Sequence, residues 1–99
     1  MNIIKTQENG KLTIALEGRL DTTTAPQLES VIAPAFDEAG EITLDFTKLE
    51  YVSSAGLRVL LIGQKTAKAK GKSMTVSNVS EDIMEVLEMT GFTDMLTIV

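Results

Sequence analysis

Apolar residues in this chain recur with a period of two, then of three to four, and the two periods alternate along its length. Leu12, Ile14 and Leu16 alternate with Lys11, Thr13 and Glu17, which predicts a strand with one apolar face. Asn2 to Gln7 ahead of it is a short extended segment. Between them Asn9-Gly10 is a two-residue hairpin signal, because both positions tolerate positive φ. These two strands are expected to pair antiparallel. Ala25, Leu28, Ile32, Ala35, Phe36 and Ala39 then repeat at helical spacing, with Pro26 in the first turn, where its missing N–H costs little. Pro34 conflicts with this helix. An interior proline costs about 3 kcal/mol, so a kink or break is expected near Ala33, with a turn ending at Gly40.

The period returns to two from Glu41 to Thr47, with Ile42, Leu44 and Phe46 on one face. The stretch from Leu44 to Arg58 reads as the end of this strand, a short loop, and the start of a helix. That helix runs from Ala55 to Lys70, with Gly71 as its C-terminal cap. Its inner face is Gly56, Val59, Leu60, Gly63 and Ala67, and Leu57, Leu61 and Gln64 lie on a neighbouring face. Gly63 costs nearly 1 kcal/mol relative to alanine, which close packing of the helix on a sheet would offset. Ser73 to Ser77 is a short strand. Ser80 caps a third helix with Glu81 and Asp82 in its first turn and Ile83, Val86, Leu87 and Thr90 inward. Gly91 ends it, Phe92 packs back over its last turn, and Met95 to Val99 is a final strand. The order β-β-α-β-α-β-α-β predicts one α/β domain over residues 1–99. Its sheet is mostly parallel with an N-terminal antiparallel hairpin, and the helices pack on one face.

Composition narrows the function. The 99 residues contain no histidine and no cysteine. This excludes Ser-His-Asp and Cys-His catalysis, the usual zinc sites and disulfides. The net charge of −5 argues against nucleic acid as a partner. No apolar run is long enough to span a bilayer, and Met1-Asn2-Ile3-Ile4-Lys5 lacks the pattern of a secretion signal, so no membrane role and a cytoplasmic location are expected. No glycine-rich phosphate loop is present, and no cofactor is implied.

Two places carry candidate chemistry. Ser53 and Ser54 stand where the second helix begins. A serine there can cap the helix, and it can also accept a phosphoryl group. That group would add roughly −1.5 to −2 charges beside unpaired N–H groups, with Arg58 one turn on. A nucleophilic serine is disfavoured, since Gly-x-Ser-x-Gly is not met around Ser54 and no histidine can serve as base. The second place is Asp21-Thr22-Thr23-Thr24, an N-terminal cap for the first helix. In a parallel sheet the loops leaving strand C-termini gather at one rim, so this loop and Ser53-Ser54 should be neighbours. Asp21 and Asp45 together offer two carboxylates to a metal, although a solvated role suits them better.

These stretches resemble a known family. Gly18-Arg19-Leu20-Asp21-Thr22-Thr23-Thr24-Ala25, followed by Leu28-Glu29, is similar to the first signature of STAS domains, in particular bacterial anti-sigma factor antagonists. Leu44-Asp45-Phe46 through Tyr51-Val52-Ser53-Ser54-Ala55-Gly56-Leu57-Arg58-Val59-Leu60 is similar to the second. Aligned on Gly56-Leu57, Ser54 takes the position of the family's phosphorylated serine. Ser53 falls where the family often has aspartate, and Ala55 where it often has a second serine or a small residue. A shifted register would make Ser53 the acceptor.

The resemblance implies partner switching in transcriptional control. The unphosphorylated protein would bind an anti-sigma factor that is also a serine kinase, and so free a sigma factor. Phosphorylation at Ser54 would break the complex, and a serine phosphatase would restore it. ATP would belong to the kinase, and this chain would not be an enzyme. Asp21, Thr22, Thr23, Thr24, Ser53, Ser54, Ala55, Gly56, Leu57 and Arg58 are the residues expected to meet the partner. The alternative within the same resemblance is a STAS subunit of a transport or lipid-trafficking assembly that contacts an ATPase without phosphorylation.

Overall fold

A four-stranded sheet in the order β1-β2-β3-β4 carries three helices on one face in the computed structural model, which describes residues 1–99. β1 (Asn2–Glu8) and β2 (Lys11–Leu20) form the antiparallel hairpin, closing with Glu8 opposite Lys11. The turn residues Asn9 and Gly10 take φ of 51° and 79°, as the Asn-Gly pair requires. β3 (Glu41–Val52) and β4 (Ser73–Ser77) add in parallel. α1 (Ala25–Glu38), α2 (Ser54–Ala69) and α3 (Glu81–Met89) connect them. One apolar core lies between sheet and helices. Leu12, Ile14, Leu16 and Leu20 of β2 and Ile42, Leu44 and Phe46 of β3 meet Leu28, Ile32 and Phe36 of α1 and Val59 and Leu60 of α2 there.

The chain departs from its sequence pattern in three places. α1 runs unbroken through Pro34. Pro34 and Ser30 are both exposed, so the carbonyl that loses its N–H partner faces water. Meanwhile Leu28, Ile32, Ala35 and Phe36 hold the helix to the core. β3 extends to Val52, where a loop was expected after Thr47. Its pairing with β2 slips between Ala15 and Glu17 and again between Gly18 and Arg19, so β3 carries an extra residue at each point. Gly18, with φ of 106°, sits between the two slips. The final strand is reduced to a single parallel bridge between Val76 and Ile98, preceded by a short 3₁₀ turn over Phe92–Asp94. Thr90, expected on the inner face of α3, is exposed, and its hydroxyl donates to the Val86 carbonyl at 2.7 Å instead.

Candidate functional site

The parallel pairing carries the ends of β2 and β3 to the same rim, with Leu20 opposite Val52. The chain after each strand is tied to the other at once. The Ser53 N–H donates to the Leu20 carbonyl at 2.8 Å, so the start of α2 hangs on the end of β2. The contact is close enough to need glycine. A Cβ on Gly56 would lie 2.6 Å from the Leu20 side chain and 3.0 Å from its carbonyl oxygen.

The two serines divide their tasks. Ser53 is the N-cap: its Oγ accepts the Gly56 N–H at 3.4 Å, and its carbonyl accepts the Leu57 N–H at 2.9 Å. Ser54 is the first helical residue and is exposed, free of the capping bond that holds Ser53. The amides of Ser54 and Ala55 stand outside the helical ladder, as first-turn amides must. Arg58 is exposed one turn along. Gly56 and Leu57 are buried, so they support this surface from beneath and offer nothing to a protein docked upon it. Ala55 is half-buried.

The neighbouring loop is densely hydrogen-bonded for its length. Asp21 Oδ1 accepts the Thr23 N–H at 3.0 Å, the Thr23 hydroxyl at 2.9 Å and the Thr24 N–H at 3.2 Å. Thr24 Oγ1 in turn accepts the Asp21 N–H at 2.8 Å and donates to the Arg19 carbonyl at 2.8 Å. Asp21 thus caps the turn ahead of α1, while the helix N-cap itself is Thr24, without a side-chain bond. Thr22 and Thr23 are exposed beside it. The Thr23 hydroxyl is the main reason that the Asp21 carboxyl is held below the usual carboxylate range.

Asp45 belongs elsewhere. It pairs with Ala15, six residues before Asp21 on β2, which puts the two carboxylates roughly 20 Å apart at the rise of a strand. The metal pairing considered from the sequence therefore has no geometric basis. Asp45 Oδ1 accepts from Asn78 Nδ2 at 2.9 Å, from the Thr47 hydroxyl at 2.6 Å and from the Thr47 N–H at 3.0 Å. The Asn78 bond, then that of Thr47, depresses its pKa against a smaller opposing effect of burial. A carboxyl depressed on folding stabilises the fold above its unfolded value, about pH 4, and loses this as pH falls through the folded pKa. The urea midpoint should accordingly fall more steeply below about pH 4 in the wild type than in Asp45→Asn. Parallel pH profiles for the two would remove Asp45 from the acid-labile part of the fold.

The structure adds a feature that the pattern did not single out. Arg19 and Tyr51 are partners across β2 and β3, and the Arg19 guanidinium lies 4.1 Å from the centre of the Tyr51 ring. Arg19 Nε also lies 3.9 Å from Asp21 Oδ2. Such an exposed cation–π contact contributes about 0.5–1 kcal/mol. It also fixes an exposed aromatic beside the Asp21 loop. Tyr51 is the one tyrosine of the chain, and that was the available signal.

Fold and rim together define a small α/β domain that presents an exposed serine at the start of α2 beside a hydrogen-bonded Asp-Thr loop. The family described as "Mlab, STAS domain" matches residues 4–98, and the chain belongs to the STAS domain family. Among curated relatives, BtrV of Bordetella bronchiseptica, provisionally named an anti-sigma factor antagonist, is 31% identical over 93 residues, covering 93% of this chain and 80% of BtrV. The anti-sigma-B factor antagonist of Bacillus subtilis is 24% identical over 98 residues, covering 99% of this chain and 90% of that protein. The fold matches the anti-sigma factor antagonist SpoIIAA in its unphosphorylated form with a TM-score of 0.81 at 18% identity, covering 99% of this chain and 88% of SpoIIAA. No helix is long and apolar enough to cross a membrane.

Proposed function

We propose that residues 1–99 form a STAS domain acting as an anti-sigma factor antagonist, a binding module without catalysis of its own that is switched by phosphorylation at Ser54. The observation that carries this reading is the placement of Ser54. It is exposed at the first position of α2, beside the Asp21 loop, while Ser53 alone takes the capping bond. The names of the curated relatives supply the partner class. An anti-sigma factor with serine kinase activity binds the unmodified surface. The γ-phosphoryl group of its ATP then passes to Ser54 Oγ, ADP leaves, and the hydroxyl proton is lost. A serine phosphatase hydrolyses the ester and resets the surface, in a cytoplasmic cycle that involves neither nucleic acid nor membrane. Asp21, Thr22, Thr23, Ser54 and Arg58 meet the partner, and Thr24, Ser53, Ala55, Gly56 and Leu57 hold them in place.

Incubation with the cognate kinase and ATP should add one phosphate, located on Ser54 by mass spectrometry and absent from Ser54→Ala. A Ser54→Ala variant phosphorylated like the wild type would end the assignment. The matching family is described as Mlab, not as an anti-sigma factor antagonist, so a second reading keeps the fold and changes the role. It is a STAS subunit of a transport or lipid-trafficking assembly in contact with an ATPase. Copurification from native cells of a transporter ATPase, with no anti-sigma kinase, would favour it.

A further inference from the structure

The cations of this acidic chain are unevenly paired. Lys5, Lys11, Arg19, Lys48 and Lys70 each lie within ion-pair distance of a carboxylate, and Lys72 donates to the Phe36 carbonyl. Arg58, Lys65 and Lys68 remain, all exposed and all on α2, a helix with no acidic residue. Steps of three and four residues keep side chains on one helical face. Ser54, Arg58, Leu61, Lys65 and Lys68 follow those steps, so the free cations form one stripe that begins at Ser54. Ile62, 40% exposed, borders it on the side away from Gln64. Beyond Leu61, a groove lined by Leu61, Gln64, Lys65, Lys68 and Met95 separates α2 from the C-terminal segment. Gln64 Oε1 accepts the Thr97 N–H at 3.3 Å and anchors the far wall, where Met95 is 47% exposed.

We infer that this stripe binds an acidic amphipathic helix of the partner protein, with Leu61 and Met95 taking its apolar ridge and Arg58, Lys65 and Lys68 its carboxylates. Charge complementarity selects this occupant. On a chain of net charge −5, three unpaired cations grouped around Leu61 on one helical face, with Met95 across the groove, match a helix of opposite charge laid alongside. The inference deepens the proposed function by naming what the surface takes. It also gives the switch a longer reach. A phosphoryl group on Ser54 places roughly two negative charges at the head of the stripe, where Arg58 is the nearest cation along the helix. The field that attracts an acidic helix is then cancelled at that end.

The test uses the full chain and a defined probe, a synthetic helical peptide of leucines at helical spacing with glutamates between. Its addition should shift the amide signals of Leu61, Lys65, Lys68 and Met95. Affinity should fall as salt rises. Lys65→Glu with Lys68→Glu should weaken binding about tenfold or more, and both positions are exposed, so the variant folds. A peptide with lysine for glutamate should not bind, and one with serine for leucine should bind several-fold more weakly. Unchanged affinity in the double variant, shifts confined to other surfaces, or binding to phosphatidylglycerol vesicles in place of the peptide would each overturn the stripe. These outcomes leave Ser54 phosphorylation untouched, and loss of the Ser54 assignment by mass spectrometry leaves the peptide result standing.

Discussion

Ser54→Glu should bind the purified anti-sigma partner at least about 100-fold more weakly than the wild type, and Ser54→Ala should bind within about threefold of it. The asymmetry follows from the division of labour at the start of α2. Alanine at the first helical position removes a hydroxyl that makes no capping bond, since Ser53 Oγ is the group that accepts the Gly56 N–H. The surface keeps its shape. Glutamate places a charge where the docked partner excludes water. An unpaired or like charge in such a place costs several kcal/mol, and about 3 kcal/mol corresponds to roughly two decades of affinity. Calorimetric titration of the three proteins measures it. A Ser54→Glu variant with the wild-type dissociation constant would sink the switch while leaving the fold assignment intact.

The residues that reveal this site in the sequence are those whose task is local. Ser53-Ser54 ahead of an apolar helix, and Asp21 ahead of a run of threonines, announce turns and caps through their own hydrogen-bonding chemistry. Their proximity was legible too, because parallel strands deliver their C-terminal loops to one rim, and the Ser53–Leu20 bond makes that contact. What was illegible depends on partner strands. Buried positions on β3 fall at 42, 44, 46, 49 and 52, and the step from two to three marks the extra residues. From β3 alone that step looks like the end of a strand. Only the slips against β2 show a strand continuing through two irregularities. The same slips bring Tyr51 opposite Arg19, so the cation–π pair became visible only with the register.

Tertiary context also overrode local preference at both ends of the fold. Pro34 was expected to kink or break α1, but burial of Leu28, Ile32, Ala35 and Phe36 on the core outweighs the cost of an interior proline, about 3 kcal/mol even in an exposed helix. At the C-terminus, Leu96 is buried and Ile98 half-buried, which resembles strand alternation. The segment nevertheless meets β4 at Val76 alone, through the Val76 N–H to the Thr97 carbonyl and the Val99 N–H to the Val76 carbonyl, each at 2.9 Å. The remainder of that segment is directed toward α2 by Gln64, where it forms the outer wall of the groove.

The two glycines of α2 should respond unequally to added volume. At Gly56 the nearest obstacles to a Cβ are the branch point of Leu20 and its carbonyl oxygen at 3.0 Å. Leu20 is fully buried, and its carbonyl holds the Ser53 N–H, so neither obstacle can retreat without disturbing the site. Gly56→Val should lower stability by about 3 kcal/mol, the upper part of the range for overpacking, out of a total of about 5–15 for a domain of this kind. At Gly63 the first obstacle is the Met74 sulfur at 2.9 Å, followed by Ile32 Cγ2 at 3.2 Å. Methionine has rotatable bonds with which to yield, and alanine gains nearly 1 kcal/mol of helix propensity over glycine. Gly63→Ala should therefore fall within about 1 kcal/mol of the wild type. Urea denaturation measures both. Amide spectra then separate site from core: Gly56→Val should shift Ser53, Ser54 and the Asp21 loop, and Gly63→Ala should leave them in place. Equal stability losses at the two positions, or an undisturbed Asp21 loop in Gly56→Val, would show that the close approach of α2 to Leu20 does not set the geometry of the rim.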